Sequence, residues 1–287
     1  MTRGSSHPYS GLRAAIATMH GKERVIAPIF AQWFDVRVER AEGVDTDALG
    51  TFTGEIEREG SMLETARTKA RLAIARTGTR FGLGSEGAFG PHPVIPVLPS
   101  GVELMLLLDA EDGREIVAQR RTHANCASTV VAPSDNLSAF LARVGFPEQG
   151  LIVRPEKSEG GFVAVKGIDT AEVLQEAIHA MGTHSATGRA FVQTDMRAHL
   201  NPTRMRAIKQ TAKALALRVA RLCPACAAPG FGLVEQVRGL PCRDCGSPTD
   251  LIQAEVHACA RCDHREERRK RPSAILADAA WCPLCNP

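Results

Sequence analysis

Ser61-Met-Leu-Glu-Thr-Ala-Arg-Thr-Lys-Ala-Arg-Leu-Ala-Ile-Ala-Arg76, followed after Gly78 by Arg80-Phe-Gly-Leu-Gly-Ser-Glu-Gly-Ala-Phe-Gly90, decides the class of fold. It opens with a capping box, in which Ser61 and Glu64 satisfy each other's backbone N–H groups. Leu63, Ala66, Ala70, Ala73 and Ile74 then recur on one face, which predicts a helix to about Thr77. From Arg80 the chain reads as a strand that dissolves into a glycine-dense turn around Glu86. Alternating helix and strand is the grammar of a layered α/β domain.

On the N-terminal side, Arg13 to Met19 is short, apolar and stopped by His20-Gly21, which suits a buried first strand. Pro28 cannot sit deep in a regular helix, so Lys22 to Ala27 reads as one loose turn and the helix as Pro28 to Phe34. Asp35 to Arg40 alternates as a second strand, and Ala41 to Gly60 reads as a long surface loop of the kind that is usually functional. On the C-terminal side, strands at 103–108 and 115–120 flank the turn Asp109-Ala-Glu-Asp-Gly113. A short helix at 136–144, strands at 151–154, 162–166 and 190–194, and helices at 170–181 and 203–222 complete the domain. The last helix sets Met205, Ile208, Ala212, Leu215, Val219 and Leu222 against Arg206, Lys209 and Lys213. The expected architecture is a layered mixed sheet with flanking helices over residues 11–220, a loose tail at 1–10, and a separate module from 221 to 287.

Composition sets the outer limits. The 287 residues are 44% hydrophobic and 23% charged, which argues for a globular chain with a core of ordinary size. The run Leu104 to Leu108 falls far short of the roughly 20 residues of a membrane span. The N-terminus lacks the apolar segment of a secretory signal, so the expected location is cytoplasmic. A net charge of +3 does not by itself imply a polyanionic partner. Its distribution is uneven: Arg197, Arg204, Arg206, Lys209, Lys213, Arg218 and Arg221 fall in an acid-less stretch, and Arg268, Arg269, Lys270 and Arg271 form a second cluster. Such clusters hold phosphates or are solvated faces.

Nine cysteines are present, and eight form four Cys-x-x-Cys knuckles: Cys223/Cys226, Cys242/Cys245, Cys259/Cys262 and Cys282/Cys285. Two knuckles complete a tetrahedral zinc shell, so four make two structural zinc sites. A disulfide scaffold suits a small secreted chain instead, and iron–sulfur clusters favour more compact spacings. Leu251 to His257 alternates like a strand, and a return strand through Arg265 and Glu267 gives a zinc ribbon. That favours nested pairing, second knuckle with third and first with fourth, over sequential pairing. Cys126 stands apart as a small buried hydrophobe.

Four features of the first domain bear chemistry: Thr18-Met-His-Gly-Lys22 at a strand end, the carboxylates Glu55, Glu57 and Glu64, Lys69, and Glu86 among glycines. A lysine beside a glycine just beyond a strand is suited to gripping phosphate oxygens. Carboxylates suit magnesium, which bridges substrate phosphates. Surface lysines are common, and the capping box alone accounts for Glu64.

The run Gly60 to Arg76 with Phe81 to Gly87 resembles the central motif of the inosine/xanthosine triphosphatases, within the wider Ham1/Maf-like nucleotide hydrolases. Thr18 to Lys22 resembles a shortened form of that family's Thr-x-Asn-Pro-x-Lys, with His20 in place of Asn. Asn201-Pro-Thr-Arg-Met205 resembles its later Thr-Arg-bearing helix start. The resemblance implies phosphate contacts from Lys22 and Lys69, magnesium or water positioned by Glu64 and Glu86, and Thr203 and Arg204 near the nucleotide. The whole chain more closely resembles a bacterial family that combines Thr-Met-His-Gly-Lys, Ser-Glu-Gly-x-Phe-Gly-Pro-His-Pro, Thr-Asp-Met-Arg and Asn-Pro-Thr-Arg-Met with C-terminal knuckles. That likeness adds His92, Asp195 and Arg197 to the candidate site and names no reaction.

Two functions follow as expectations. The first is a magnesium-dependent hydrolase of nucleotide phosphoanhydride bonds, acting on non-standard purine nucleoside triphosphates. The second is a non-catalytic module whose zinc ribbon and basic helix bind RNA, DNA or protein. Against single-strand binding, aromatic residues make up only 5% of the chain.

Overall fold

The structure, a computed structural model, describes residues 7–50, 60–157, 163–269 and 276–287. The chain divides into two compact units, Met1–Leu215 and Ala216–Pro287. The expected carboxylates Glu55 and Glu57, the basic residues Lys270 and Arg271, and most of the presumed N-terminal tail lie outside the described residues.

The first unit is mixed α/β with two sheets. Strands β1 (Arg13–Ile16), β2 (Arg37–Arg40), β3 (Phe81–Pro91), β4 (Pro99–Asp109) and β5 (Glu115–His123) form a five-stranded sheet in the order β2-β1-β3-β4-β5. β1 is parallel to both neighbours, whereas β4 runs antiparallel to β3 and to β5 on either side of it. A second, four-stranded sheet has the order β6-β9-β7-β8, from β6 (Ser128–Val131), β7 (Leu151–Pro155), β8 (Val165–Ile168) and β9 (Ala190–Thr194). Its helices are α3 (Ser138–Val144) and α4 (Ala171–Thr183), and the core beneath them gathers Leu151, Val153, Ile168, Leu174, Ile178 and Val192.

Helix α1 (Glu23–Phe34) begins one turn earlier than the sequence predicts and carries Pro28 in its interior. Proline forfeits one backbone bond there. Burial of Ile26, Ile29, Phe30 and Phe34 on both sides of it offsets the loss, at about 1.5–3 kcal/mol per large side chain. Helix α2 (Met62–Thr77) has the predicted capping box: Ser61 accepts from the Glu64 N–H, and Glu64 accepts from the Ser61 N–H at 2.7 Å.

Glycines 82 and 84 do not make a turn. β3 continues through Glu86 to Pro91, paired with β4 throughout. A β carbon at Gly82 would lie 2.2 Å from the Ala70 carbonyl oxygen, and one at Gly84 would lie 1.9 Å from that of Ala66. The glycines therefore let α2, through its alanines, lie directly on the strand. Residues 7–10 also differ from a loose tail, since Tyr9 is 2% exposed and its ring lies 4.3 Å from that of Phe81.

Helix α5 (Pro202–Ala220) buries Ile208, Ala212, Leu215 and Val219 as the periodicity predicts and exposes Arg206, Lys209 and Lys213, whereas Met205 is half-buried and Leu222, past the helix end, is exposed. In the second unit, β10 (Gly232–Arg238), β11 (Ile252–Ala258) and β12 (Arg265–Arg269) form an antiparallel three-stranded sheet. No helix among the described residues is long and apolar enough to cross a membrane.

Candidate functional site

β1 pairs with β3 from Ala14 to Ile16, opposite Phe81 to Leu83, and then ends. Beyond that point the edge of β3 is open, and the chain leaving β1 folds back over it. Thr18 accepts from the His20 N–H, Gly21 takes the left-handed conformation (φ +66°), and Lys22 sits at the start of α1. The Lys22 ammonium donates to the Ser85 carbonyl oxygen at 2.8 Å, satisfying an edge acceptor that β1 does not reach.

This crossing encloses a cavity of about 110 Å³ at the carboxyl ends of the parallel strands, where open α/β sheets place their ligands. Thr18, His20, Lys22, Lys69, Glu86 and Arg204 line it, and all six are predicted site residues. Lys69 of α2 and Glu86 of β3 form an ion pair, both nearly buried. Arg204 at the start of α5 is held by Glu103 of β4 at 2.9 Å, each side chain 1% exposed, and also donates to the Met196 carbonyl. Removing one member of such a buried pair typically costs 3–5 kcal/mol. The arginine is therefore fixed before any ligand arrives.

The cavity carries charge of both signs, Lys22, Lys69 and Arg204 against Glu86 and Asp47, with Glu103 on Arg204. Burial, with Arg204 and Lys69 nearby, pushes Lys22 down to about 7, although Glu86 and Glu103 act the other way. Burial lowers His20 to about 3, assisted by His199, Lys22, Arg197 and Arg204, so its imidazole is neutral at physiological pH.

The remaining predicted residues lie elsewhere. Glu64 does not line the cavity; its carboxylate is engaged by Ser61, so the cap accounts for it and the expected catalytic place does not. His92 accepts from the N–H groups of Val94 and Ile95 and closes the β3–β4 connection. Asp195 is fully buried, with the Arg197 guanidinium and backbone N–H both on its carboxylate. Thr203 accepts from Arg206. Sequence reasoning missed three participants. Asp47 and Thr46 line the cavity from the loop after β2, and His199 stacks on His20 with centroids 5.0 Å apart and planes 7° apart. Asp47 lies 3.8 Å from the His20 Nε2. The position of that loop, just past a parallel strand, was the available signal; nothing local marks His199.

The cysteines form two groups, Cys223/Cys226 with Cys259/Cys262 and Cys242/Cys245 with Cys282/Cys285. The pairing is interleaved, first knuckle with third and second with fourth, which corrects both the nested and the sequential expectation. Strand β10, absent from the sequence reading, is the reason. Gly232 lies opposite Ala258, so the antiparallel β10–β11 pair brings the knuckle before β10 beside the one after β11. The second knuckle falls in the β10–β11 connection, where Cys242 bridges to Ala277 and draws in the fourth.

Nearest sulfurs across the knuckles are 3.8 and 3.6 Å apart in the first group and 3.9 and 3.6 Å in the second. A tetrahedron of ~2.3 Å zinc–sulfur bonds needs about 3.8 Å, whereas a disulfide needs about 2.05 Å. The Arg261 N–H on Cys259 Sγ and the Asp244 N–H on Cys242 Sγ supply the donors thiolates attract. Each group could hold one zinc ion with no position left for water, a structural and not a catalytic arrangement. Cys126 is exposed, against the expectation of a buried hydrophobe.

No curated relative and no solved structure matches the chain. A family model described as a domain of unknown function, DUF6671, matches residues 69–287, from Lys69 of the cavity through both cysteine groups. That span takes in most of the chain, and the protein belongs to the DUF6671 family.

Proposed function

We propose that the first unit is a magnesium-dependent hydrolase of phosphoanhydride bonds in nucleotides, with non-standard purine nucleoside triphosphates as its substrates and a Ham1/Maf-like fold. One observation carries the reading: Lys22, Lys69, Arg204 and Glu86, drawn from four separate elements, line a single cavity. Three basic side chains converging on one cavity, two of them held in place by Glu86 and Glu103, are suited to a polyphosphate. Lys22 and Lys69 neutralise phosphate oxygens, and Arg204, held by Glu103, is preorganised to receive charge on the leaving group. Glu86 orients water once a phosphate competes for Lys69. His20, neutral and stacked on His199, offers a ring nitrogen to a phosphate oxygen or to that water.

Magnesium fits this lining. The ion takes one or two carboxylates together with substrate phosphate oxygens, and Glu86 and Asp47 are the two carboxylates on the cavity. It would polarise the phosphoryl oxygens. The test is release of phosphate or pyrophosphate from a panel of nucleoside triphosphates with magnesium. Turnover of at least one is expected, as is its loss in Glu86→Gln with the melting temperature retained. No release from any nucleotide overturns the reading.

The alternative, a non-catalytic module whose zinc ribbon and basic helix bind RNA, DNA or protein, has less support from the ribbon. Among its described residues, Arg268 already has Glu266 at 2.6 Å and Arg265 has Glu235 at 3.8 Å.

A further inference from the structure

A second cavity, of about 210 Å³, lies in the same unit and is not used by the reading above. Phe89 of β3 forms one wall, and Ser128, Gln193 and Ile152 form another. These three are register neighbours, Ser128 opposite Gln193 and Gln193 opposite Ile152, so they make one row across β6, β9 and β7. The alternating residues Leu151, Val153 and Val192 enter the core under α3 and α4. The row therefore belongs to the opposite face of that sheet.

The position of Phe89 is built in. A β carbon at Gly101 would lie 2.7 Å from its ring, and one at Gly87 would lie 3.1 Å from it, so the ring occupies space that two glycines vacate. The Arg204 guanidinium carbon stands 5.0 Å from the centre of that ring. The same guanidinium donates to the carbonyl of Met196, which also lines the second cavity, and is itself part of the first. Arg204 thus lines the first cavity and touches two residues, Phe89 and Met196, that line the second.

The linings differ in kind. The first carries charged side chains of both signs; the second has an aromatic ring, Ile152 and Met196 for apolar surface, and the amide of Gln193 and hydroxyl of Ser128 for polarity, with no charged side chain. An uncharged lining disfavours an ionic ligand. A carboxamide offers both a donor and an acceptor, which is what the edge of a flat heterocycle presents. Mostly apolar walls with a few placed polar groups are the usual make-up of a small-molecule subsite.

We propose that this second cavity is the subsite for the base of a nucleotide, with Gln193 reading the ring edge and Arg204 standing between base and phosphates. The proposal rests on the reading of the first cavity as the phosphate site. Cys126 lines the second cavity and is the one cysteine outside the two four-sulfur groups, so its alkylation reports on occupancy.

The experiment uses the full, metal-loaded chain. Iodoacetamide labelling of Cys126 is followed by peptide mass mapping in the presence of nucleosides without phosphates, while pyrophosphate binding is measured separately by calorimetry. At least one nucleoside is expected to slow Cys126 labelling several-fold. That protection should disappear in Gln193→Leu and weaken in Ser128→Ala, with melting temperature and pyrophosphate affinity unchanged in both. If pyrophosphate binds but no nucleoside or nucleotide protects Cys126, the base subsite is wrong and the phosphate reading stands. If nucleosides protect and pyrophosphate fails to bind, the ring site is supported and the phosphate reading falls. Protection that persists in both variants overturns the assignment of Gln193.

Discussion

The two units hold their chemistry-bearing groups in opposite ways. From Ala216 onward the buried apolar side chains among the described residues are few, Phe231 and Leu240 being the largest, and the eight cysteines sit at short, regular spacings. In the unit ending at Leu215, cavity residues far apart in sequence meet because two sheets and their helices bury Phe30, Phe81, Leu83, Leu106 and Leu107 beneath them. In the first case ligand and scaffold are one; in the second the scaffold is apolar and the site is an end of it. The difference teaches that losing a ligand should unmake the cysteine unit, whereas losing a cavity residue should change affinity and leave the fold.

The largest effect that could break this contrast is metal removal. Structural zinc contributes about 10–16 kcal/mol per site in small zinc modules, so a strong chelator should abolish ordered structure from about residue 222 onward. Backbone amide exchange in β1 to β9 should stay unchanged, and metal analysis of untreated protein should give two zinc ions per chain. Parallel loss of protection in both regions would show that the apolar unit is not independent.

Next in size is Gly84→Ala, which drives a methyl group into the Ala66 carbonyl and cannot be relieved by side-chain motion. Overpacking of this kind should cost about 3 kcal/mol, read as a drop in urea midpoint. A neutral outcome would mean that α2 can move off β3.

Smaller again is a pH effect on the cavity. Lys22 holds its proton only below about 7 in the folded protein, against an ordinary value of 10.5. Sulfate keeps its charge over this range, so its binding should weaken by up to about thirty-fold from pH 6 to pH 8.5, with proton uptake on binding near neutrality. The sign for stability is opposite. Between about 7 and 10.5 the unfolded chain holds a proton that the folded chain lacks, so the Lys22 contribution to stability rises with pH across that window. Sulfate titrations that are flat with pH would remove Lys22 from the site.

The smallest expected change is Ser61→Ala, about 1 kcal/mol of stability with sulfate affinity unaltered. Glu64→Gln should likewise leave sulfate affinity alone, because that carboxylate caps α2.

Much of this was legible in the sequence where the signal is local. The cap at Ser61, the buried stripe of α5 and the strand at Ala190–Thr194 follow from short-range pattern, and the residue chemistry of Lys22, Lys69 and Glu86 singled out three side chains that line one cavity. What failed was set at a distance. Glycines 82 and 84 look like turn residues until α2 is laid across them, and Pro28 looks like a helix start until the apolar residues on both sides are buried. The cysteine partners could not be assigned without β10, a strand whose own burial pattern is weak and which is defined by pairing with β11.

The interleaved cysteine shells also fix a sequence of events during synthesis. The first shell cannot close until Cys262 has been made, and the second must wait for Cys285. A chain cut between Cys262 and Cys282 therefore keeps all four sulfurs of one group and leaves Cys242 and Cys245 without their partners.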